Sequence, residues 1–422
     1  MKVLGISDSC NLYTGFGTQA LMVMNGFQTK GVEVEQLGWW SKDEIVHKGI
    51  KIFGLMEGEN GYGTLDKIIY HCNRFKPDII FSLGDLHMIE PMFKAPDEIK
   101  KRWVHWLPID AEPYPFMMHE ALAAVPNLVL MADFAKKMSE KFLPNAHMIP
   151  HGLDFNVFKP LPNRVALRTK NKVEGEFVVV MVAKNQWRKC LDLAVEAFAR
   201  FSRGKNDVRF IMHTQIMSPA KLRGWYIPHL VKLNTDDYDP ELPRKIQVSS
   251  SQIHEKMLNS VYNVADVFFL TSAGEGFGIP SIEAQMAGVP IVIPDFTTGR
   301  EFVLPDGKEE NRTGELIKIA TNMIQSDAGV KRALIDTQDA ADKLEKMYRS
   351  WKSDKTLIRR YGENARRTSI LKYDYNVVIT QWYNLIIDIH RGIGGVNGDY
   401  QAQAMADTAV GDIDKPVILE EI

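Results

Sequence analysis

Over the first 160 residues, short apolar runs alternate with amphipathic stretches. KVLGIS (2–7), VEVEQLGW (32–39), DIIFSLGD, RWVHWLPI, NLVLMAD and AHMIPHG read as strands, with GTQALMVMNGFQTKG, DKIIYHCNRFKP and FAKKMSEKFL as helices between them. Strands that are apolar throughout, joined by helical crossovers, predict a parallel sheet covered on both faces. KPLPNRVALRTKNKVEGE follows, with two prolines, several basic residues and little apolar content, the composition of an interdomain connection. The alternation then restarts with FVVVMVAK (177–184), CLDLAVEAFARF, VRFIMHT (208–214), MLNSVYNVA, DVFFLTS (266–272) and VPIVIPD.

The expected fold class is therefore α/β, with two doubly wound Rossmann-like domains over 1–160 and 161–374. A last helical stretch, 375–392, is apolar on more than one side and is expected to pack back across the domain boundary. Residues 393–422, rich in Gly, Ala and Asp and without periodicity, read as a loosely ordered tail. Ligands of open parallel sheets sit beyond the carboxyl ends of the strands, and two such domains facing one another would enclose a cleft there. Chemistry is thus expected just after strands.

Composition narrows the classes. A chain of 422 residues exceeds one ordinary core and suits two domains of roughly 150 to 200 residues. With 45% hydrophobic and 25% charged residues and a net charge of −2, it carries no overall bias toward nucleic acid or membrane. The three cysteines, Cys10, Cys72 and Cys190, lie far apart without metal-site spacing, which suits buried thiols in a reducing compartment. MKVLGIS runs straight into a strand pattern without a basic leader, and no run of about 20 apolar residues follows, so a cytoplasmic protein is expected.

GEGFGIPSIEAQMAGVP (274–290) concentrates the chemistry. It follows the strand DVFFL; Pro280 fits the first helical position, Gly288 fits just past the helix end, and Glu283 falls in the first turn. Gly276 and Gly278 let backbone amides approach a ligand, and a helix N-terminus favours an anion such as phosphate. A carboxylate beside that anion needs hydroxyl donors of its own, so Glu275 and Glu283 point to a nucleotide sugar; a helix merely decorated with an acid is the plainer alternative for Glu283.

E-G-F-G-x-P-x-x-E, followed by a small-residue helix and G-x-P, resembles the E-x7-E motif of retaining glycosyltransferases of the GT-B fold, family 4 type. The resemblance implies that Glu275 contacts the donor sugar, that the backbone of Gly276, Phe277 and Gly278 holds sugar and phosphate, and that Glu283 binds the ribose hydroxyls. HGLDFNVFKP (151–160) is similar to the family's domain-junction signature, with His151 where Asn is usual. VAKNQWRKCLDLAVEAF resembles the segment whose Arg and Lys bind the diphosphate; Lys184 and Lys189 stand at those positions, Arg188 is an added cation, and Cys190 replaces a glycine. DFTTGREFV resembles the segment closing the donor pocket, with Thr298, Gly299 and Glu301 as candidates. In the first domain, Gly15 and Gly17 match the family's glycine-rich loop, and Asp110, with His105 in reserve, matches the group that touches the transferred sugar. Asp85, His87 and Glu112 are further strand-end residues.

The implied reaction moves a hexose-type sugar from a UDP-, GDP- or ADP-sugar to an acceptor hydroxyl, with Glu275, Lys189 and Asp110 carrying the chemistry and without cofactor or metal. The acceptor stays open between polysaccharide, lipid, small molecule and modified DNA base. EIKKRW (98–103) and RVALRTKNK (164–172) are candidate nucleic-acid contacts, and FAKKMSEKFL a candidate for peripheral membrane contact; solvated faces are the simpler reading of all three. Asp237 and Asp239 form a D-x-D expected to lie in a solvated loop. Three alternatives remain: an NAD-dependent dehydrogenase, since Gly15-x-Gly17-x-x-Ala20 also fits a dinucleotide fingerprint, a sugar-nucleotide epimerase of the same fold, and a binding module that has lost activity, against which the presence of both Glu275 and Glu283 argues.

Overall fold

The structure is a computed structural model describing residues 1–57, 61–115, 118–251, 253–325 and 329–392. The stretch expected as a tail lies outside the described residues. The chain forms two compact units. One comprises Met1–Ile109, Pro113–Gly152 and the described residues from Lys372; the other comprises Asp110–Glu112 and Leu153–Leu371.

In the first unit, eight strands form one sheet: β1 (Lys2–Asp8), β2 (Glu33–Trp39), β3 (Glu44–His47), β4 (Ile50–Gly54), β5 (Ile79–Leu83), β6 (Trp103–Leu107), β7 (Asn127–Leu130) and β8 (His147–Met148). Their order is β3-β4-β2-β1-β5-β6-β7-β8, parallel except for β3, which pairs antiparallel with β4. β5, β6 and β7 are buried along their whole length, as apolar runs covered on both faces must be. The last described helix, Tyr375–His390, packs in this unit. Its Trp382 is fully buried, edge-on to Phe81 and Trp106 at 5.1 Å each.

The second unit holds β9 (Phe177–Val182), β10 (Val208–His213), β11 (Ile246–Ser249), β12 (Val267–Phe269), β13 (Ile291–Pro294) and β14 (Gly314–Ile317), all parallel in the order β11-β10-β9-β12-β13-β14. An antiparallel pair, β15 (Ile319–Gln325) and β16 (Val330–Ile335), follows. Both sheets reverse their winding direction, at β1/β5 and at β9/β12, and such reversals open a crevice at the strands' carboxyl ends.

Three expectations change. The first unit ends at Gly152, ahead of Pro160, because the chain beyond is fastened to the second unit: Lys159 N–H donates to Asn259 Oδ1 (3.2 Å) and Leu161 N–H to Asn263 Oδ1 (2.7 Å). The supposed connection contains the helix Arg164–Lys170, whose Arg164 and Arg168 grip Asp266 at 2.8 and 3.1 Å. These arginines are structural rather than nucleic-acid contacts; Arg102 of the other basic segment likewise donates to the Pro77 carbonyl at 2.6 Å. Asp237 is exposed at the end of the helix Ile227–Asp237, but Asp239 is buried against Lys245 at 2.8 Å, so the second acid of the D-x-D is a fold contact and not part of a solvated loop. All three cysteines are free and buried.

Candidate functional site

The crevice at β9/β12 gathers most of the second unit's sequence candidates. Two loops meet there. Thr271 Oγ1 donates to the carbonyls of Lys189 (3.1 Å) and Cys190 (2.9 Å), and Ala273 N–H donates to the Arg188 carbonyl at 2.8 Å. The loop after β12 is thereby stapled to the loop after β9. Cys190 takes a left-handed φ of 47° at the start of the helix Leu191–Ser202, a conformation glycine adopts more easily.

Glu275 is the centre of the charge. Lys189 Nζ donates to its Oε1, and Arg188 Nη1 lies 3.2 Å from its Oε2. Burial alone would raise its carboxyl, but Lys189 and then Arg188 outweigh burial and hold it at about 2. The same burial, together with the neighbouring Arg188, lowers Lys189 against the opposing pull of Glu275. Arg188 also donates to the Gly274 carbonyl and places Nε 3.3 Å from Asp110 Oδ2. Arg332, on β16, closes the chain of contacts with Nη1 2.9 Å from Asp110 Oδ1. Lys184 is exposed at the end of β9, without a described partner.

Past Glu275 the backbone turns tightly. Gly274 has a φ of 151°, and a Cβ there would stand 2.0 Å from the Asp110 carbonyl oxygen. Gly276 is buried; Gly278, at φ 100°, caps the helix Ile279–Met286. Phe277 turns its ring into the core, edge-on to Phe302 at 5.3 Å, so only its backbone faces the crevice. Pro280 is the second helical residue and Gly288 follows the end with φ 78°. Glu283 therefore sits in the second turn and not the first. Buried to 8% exposure, it accepts from Tyr262 Oη at 2.5 Å. Burial pushes Glu283 up to about 7, opposed by the Tyr262 bond and aided by Glu255.

Thr298 and Gly299 lie at the start of the short helix Gly299–Val303, which also carries Glu301; a Cβ on Gly299 would fall 1.9 Å from the Pro294 carbonyl oxygen. Beside them, Thr297 holds a left-handed φ of 48° and accepts the Glu275 N–H at Oγ1 (3.1 Å). Sequence reasoning missed Thr297, Arg332, Tyr262 and Gly274. Only Gly274 had a local signal, its place in the glycine-rich loop.

Gly15 and Gly17 belong to the first unit. Gly15 opens the helix Gly15–Thr29 with open space around its Cα, whereas a Cβ on Gly17 would meet the Leu12 carbonyl oxygen at 2.7 Å. Thr14 caps this helix, accepting the Gly17 N–H, and donates to Asp8 Oδ2 at 2.6 Å. A carboxylate tied to the cap repels the pyrophosphate that a dinucleotide fold would seat there. His105 is not at a strand end: it lies mid-β6, fully buried, with Nδ1 2.8 Å from Ser82 Oγ, and burial lowers it to about 3. His151 is buried beside Gln19 (2.9 Å). Asp85 follows β5, and His87 is exposed two residues on. Among the described residues, no three His, Cys, Asp or Glu side chains are grouped to hold a metal ion, and no helix is long and apolar enough to cross a membrane.

Residues 164–368 match the family model "Glycosyl transferases group 1". A D-inositol 3-phosphate glycosyltransferase of Geodermatophilus obscurus is 27% identical over 150 residues, 34% of this chain and 32% of that protein. The chain thus spans about a third of the length of the first curated relatives it matches. Sucrose-phosphate synthase of Thermosynechococcus elongatus superposes with a TM-score of 0.73 at 16% identity, over 93% of this chain and 100% of that one. An Anabaena HepE structure in complex with UDP gives 0.66 at 14% identity, over 92% and 100%. The two Rossmann-like α/β units with parallel sheets are those of GT-B glycosyltransferase structures.

Proposed function

We propose that this chain is a GT-B glycosyltransferase that transfers a hexose-type sugar from a nucleotide diphosphate sugar to an acceptor hydroxyl, with retention and without a metal ion. The observation that carries the reading is Glu275, kept ionised between Lys189 and Arg188 at the β9/β12 crevice. A permanently charged carboxylate accepts hydrogen bonds from sugar hydroxyls, and the adjoining cations neutralise a departing diphosphate. Both Glu275 oxygens are engaged by cations, which suits a positioning group better than a nucleophile. In the proposed step the acceptor oxygen bonds to the anomeric carbon on the face from which the diphosphate leaves, and a diphosphate oxygen takes the hydroxyl proton. Glu283 would hold the ribose, its second oxygen having no partner among the described residues. HepE was solved with UDP, and the group 1 match covers these residues, which supports a nucleotide-sugar donor.

The test is a panel of UDP-, GDP- and ADP-sugars, with nucleotide diphosphate release followed in EDTA. One sugar nucleotide should be turned over, with at least a hundredfold loss in Lys189→Ala and in Glu275→Gln. Absence of both turnover and binding across the panel would sink the reading.

A further inference from the structure

Glu283 is held by a neighbouring helix of the second unit. Helix Glu255–Val264 carries Tyr262, whose hydroxyl donates to Glu283 Oε2 at 2.5 Å. The phenol has no room to swing away. It is fully buried, with its ring edge-on to Phe158 at 6.2 Å and tilted against Phe268 of β12 at 6.0 Å. On the same helix, Asn259 and Asn263 both donate to the Lys159 carbonyl, at 3.0 and 2.9 Å, so the helix itself is clamped to the chain that enters this unit.

The end of an unheld glutamate turns easily, because its last torsion is broad and roughly two-fold. The Tyr262 bond removes that freedom: it engages Oε2 and leaves Oε1, without a hydrogen-bond partner among the described residues, open to a ligand. An apolar pair of the same shape would be about as stable, so stability alone does not explain a phenol and a carboxyl buried together. The charge state agrees. Burial pushes Glu283 up and Glu255, from the start of Tyr262's helix, adds to it, while the Tyr262 bond opposes both. Glu283 is the one charged residue of Ile279–Met286, and Arg366, which reaches that helix, donates to the Met286 carbonyl at its end.

Resting on the glycosyltransferase reading above, we propose that Tyr262 is a positioning residue: its hydroxyl fixes Glu283 with one oxygen offered to the donor's ribose, and thereby sets the preference of the site for a nucleotide that carries ribose hydroxyls over one that lacks them. A nucleotide without those hydroxyls leaves the held carboxylate unpaired, and a site built to bond a hydroxyl rejects such an analogue strongly.

Titration calorimetry on the full chain tests this without relying on turnover, with UDP, GDP and ADP each beside its 2′,3′-dideoxy analogue. The ratio of the two affinities isolates the hydroxyls, because the base and the phosphates, with their own titration, cancel. For at least one pair the wild-type ratio should be about tenfold or more at pH 8 and should shrink as pH falls through about 7, where Glu283 takes up its proton. Tyr262→Phe should cut the ratio to about threefold and move its midpoint to higher pH, since burial then acts on Glu283 with less opposition. In the Glu283→Gln background, where most of the ratio is already lost, Tyr262→Phe should change it no further. A ratio left intact by Tyr262→Phe, or a loss in which both analogues weaken equally, would make Tyr262 merely structural and overturn the proposal while the transferase reading stands. A wild-type ratio that stays flat from pH 6 to 9, read without any variant, would overturn it as well. Binding of none of the three nucleotides to the wild-type chain would sink both readings.

Discussion

Glu275 and Glu283 stand eight positions apart in one loop and helix, yet their surroundings drive them in opposite directions. Burial acts on both; only Glu275 has cations to answer it, and it settles at about 2, while Glu283 rises to about 7. The linkage then has opposite signs. Glu275 adds stability above the ordinary glutamate value, and that stability is lost as pH falls toward about 2. Glu283 binds its proton more tightly in the folded chain than in the unfolded one, so its contribution is present at low pH and is lost as pH rises through about 7. The raised carboxyl is thus a source of instability at alkaline pH, on the order of 3 kcal/mol for a shift of this size. Glu283→Gln is expected to be more stable than the wild type by ~1–3 kcal/mol at pH 8, with little difference near pH 5. The same variant should bind the donor about tenfold more weakly, a trade of function for stability. Denaturant unfolding at the two pH values checks the sign; an equal difference at both would refute the assignment of the titration to Glu283.

At the scale of elements, the β15–β16 pair is an addition to the doubly wound sheet that reaches the candidate site. Lys331 N–H donates to the Glu112 carbonyl (2.9 Å) and Ala333 N–H to the Ala273 carbonyl (3.1 Å), so β16 pins both the 110–112 segment and the loop leading to Glu275. Arg332 then fixes Asp110, Asp110 fixes Arg188, and Arg188 fixes Glu275. If this relay positions the site, Arg332→Gln and Asp110→Asn should each lower kcat about tenfold with a smaller change in donor affinity. The double variant should be little worse than either, because residues in one network are not additive. Multiplying effects in the double-mutant cycle would argue against the relay. This element also marks how far the sequence could be read. Both sheets rest on periodicity, and Glu275 and Gly278 on their spacing after a strand, which survive in one dimension; Lys189 is identified only through the resemblance to a diphosphate-binding segment. Arg332, Thr297 and Tyr262 reach the cluster only through tertiary packing. Asp239 and Arg168 look like surface charge in the sequence because their buried partners, Lys245 and Asp266, are brought to them by the fold. Helix phase shows the same limit: one residue of uncertainty at Ile279 was enough to put Glu283 in the wrong turn.

For the whole chain, the telling fact is that the first unit is completed from the far end of the sequence. Its helix Gly15–Thr29 packs on Tyr375–His390, and at Gly26 the approach is so close that an added Cβ would lie 2.4 Å from Ile379 Cδ1 and 2.6 Å from both Cγ1 and Cγ2. In an isolated helix, Gly→Ala is stabilising by roughly 0.5–1 kcal/mol. Here the branched side chain of Ile379 has few rotamers with which to yield, and overpacking of this kind costs about 1–3 kcal/mol. Gly26→Ala should therefore destabilise the first unit by ~1–2 kcal/mol, the overpacking outweighing the propensity gain. Ile379→Ala in the same chain makes room for the new methyl, and the double variant should be more stable than Ile379→Ala alone. That reversal of sign separates a steric contact from a helix effect, since propensity would act identically in both backgrounds. A Gly26→Ala chain that unfolds later than wild type in both backgrounds would mean that the two helices do not meet at this point. The first unit would then owe its closure to Trp382, packed between Phe81 and Trp106, and not to the glycine.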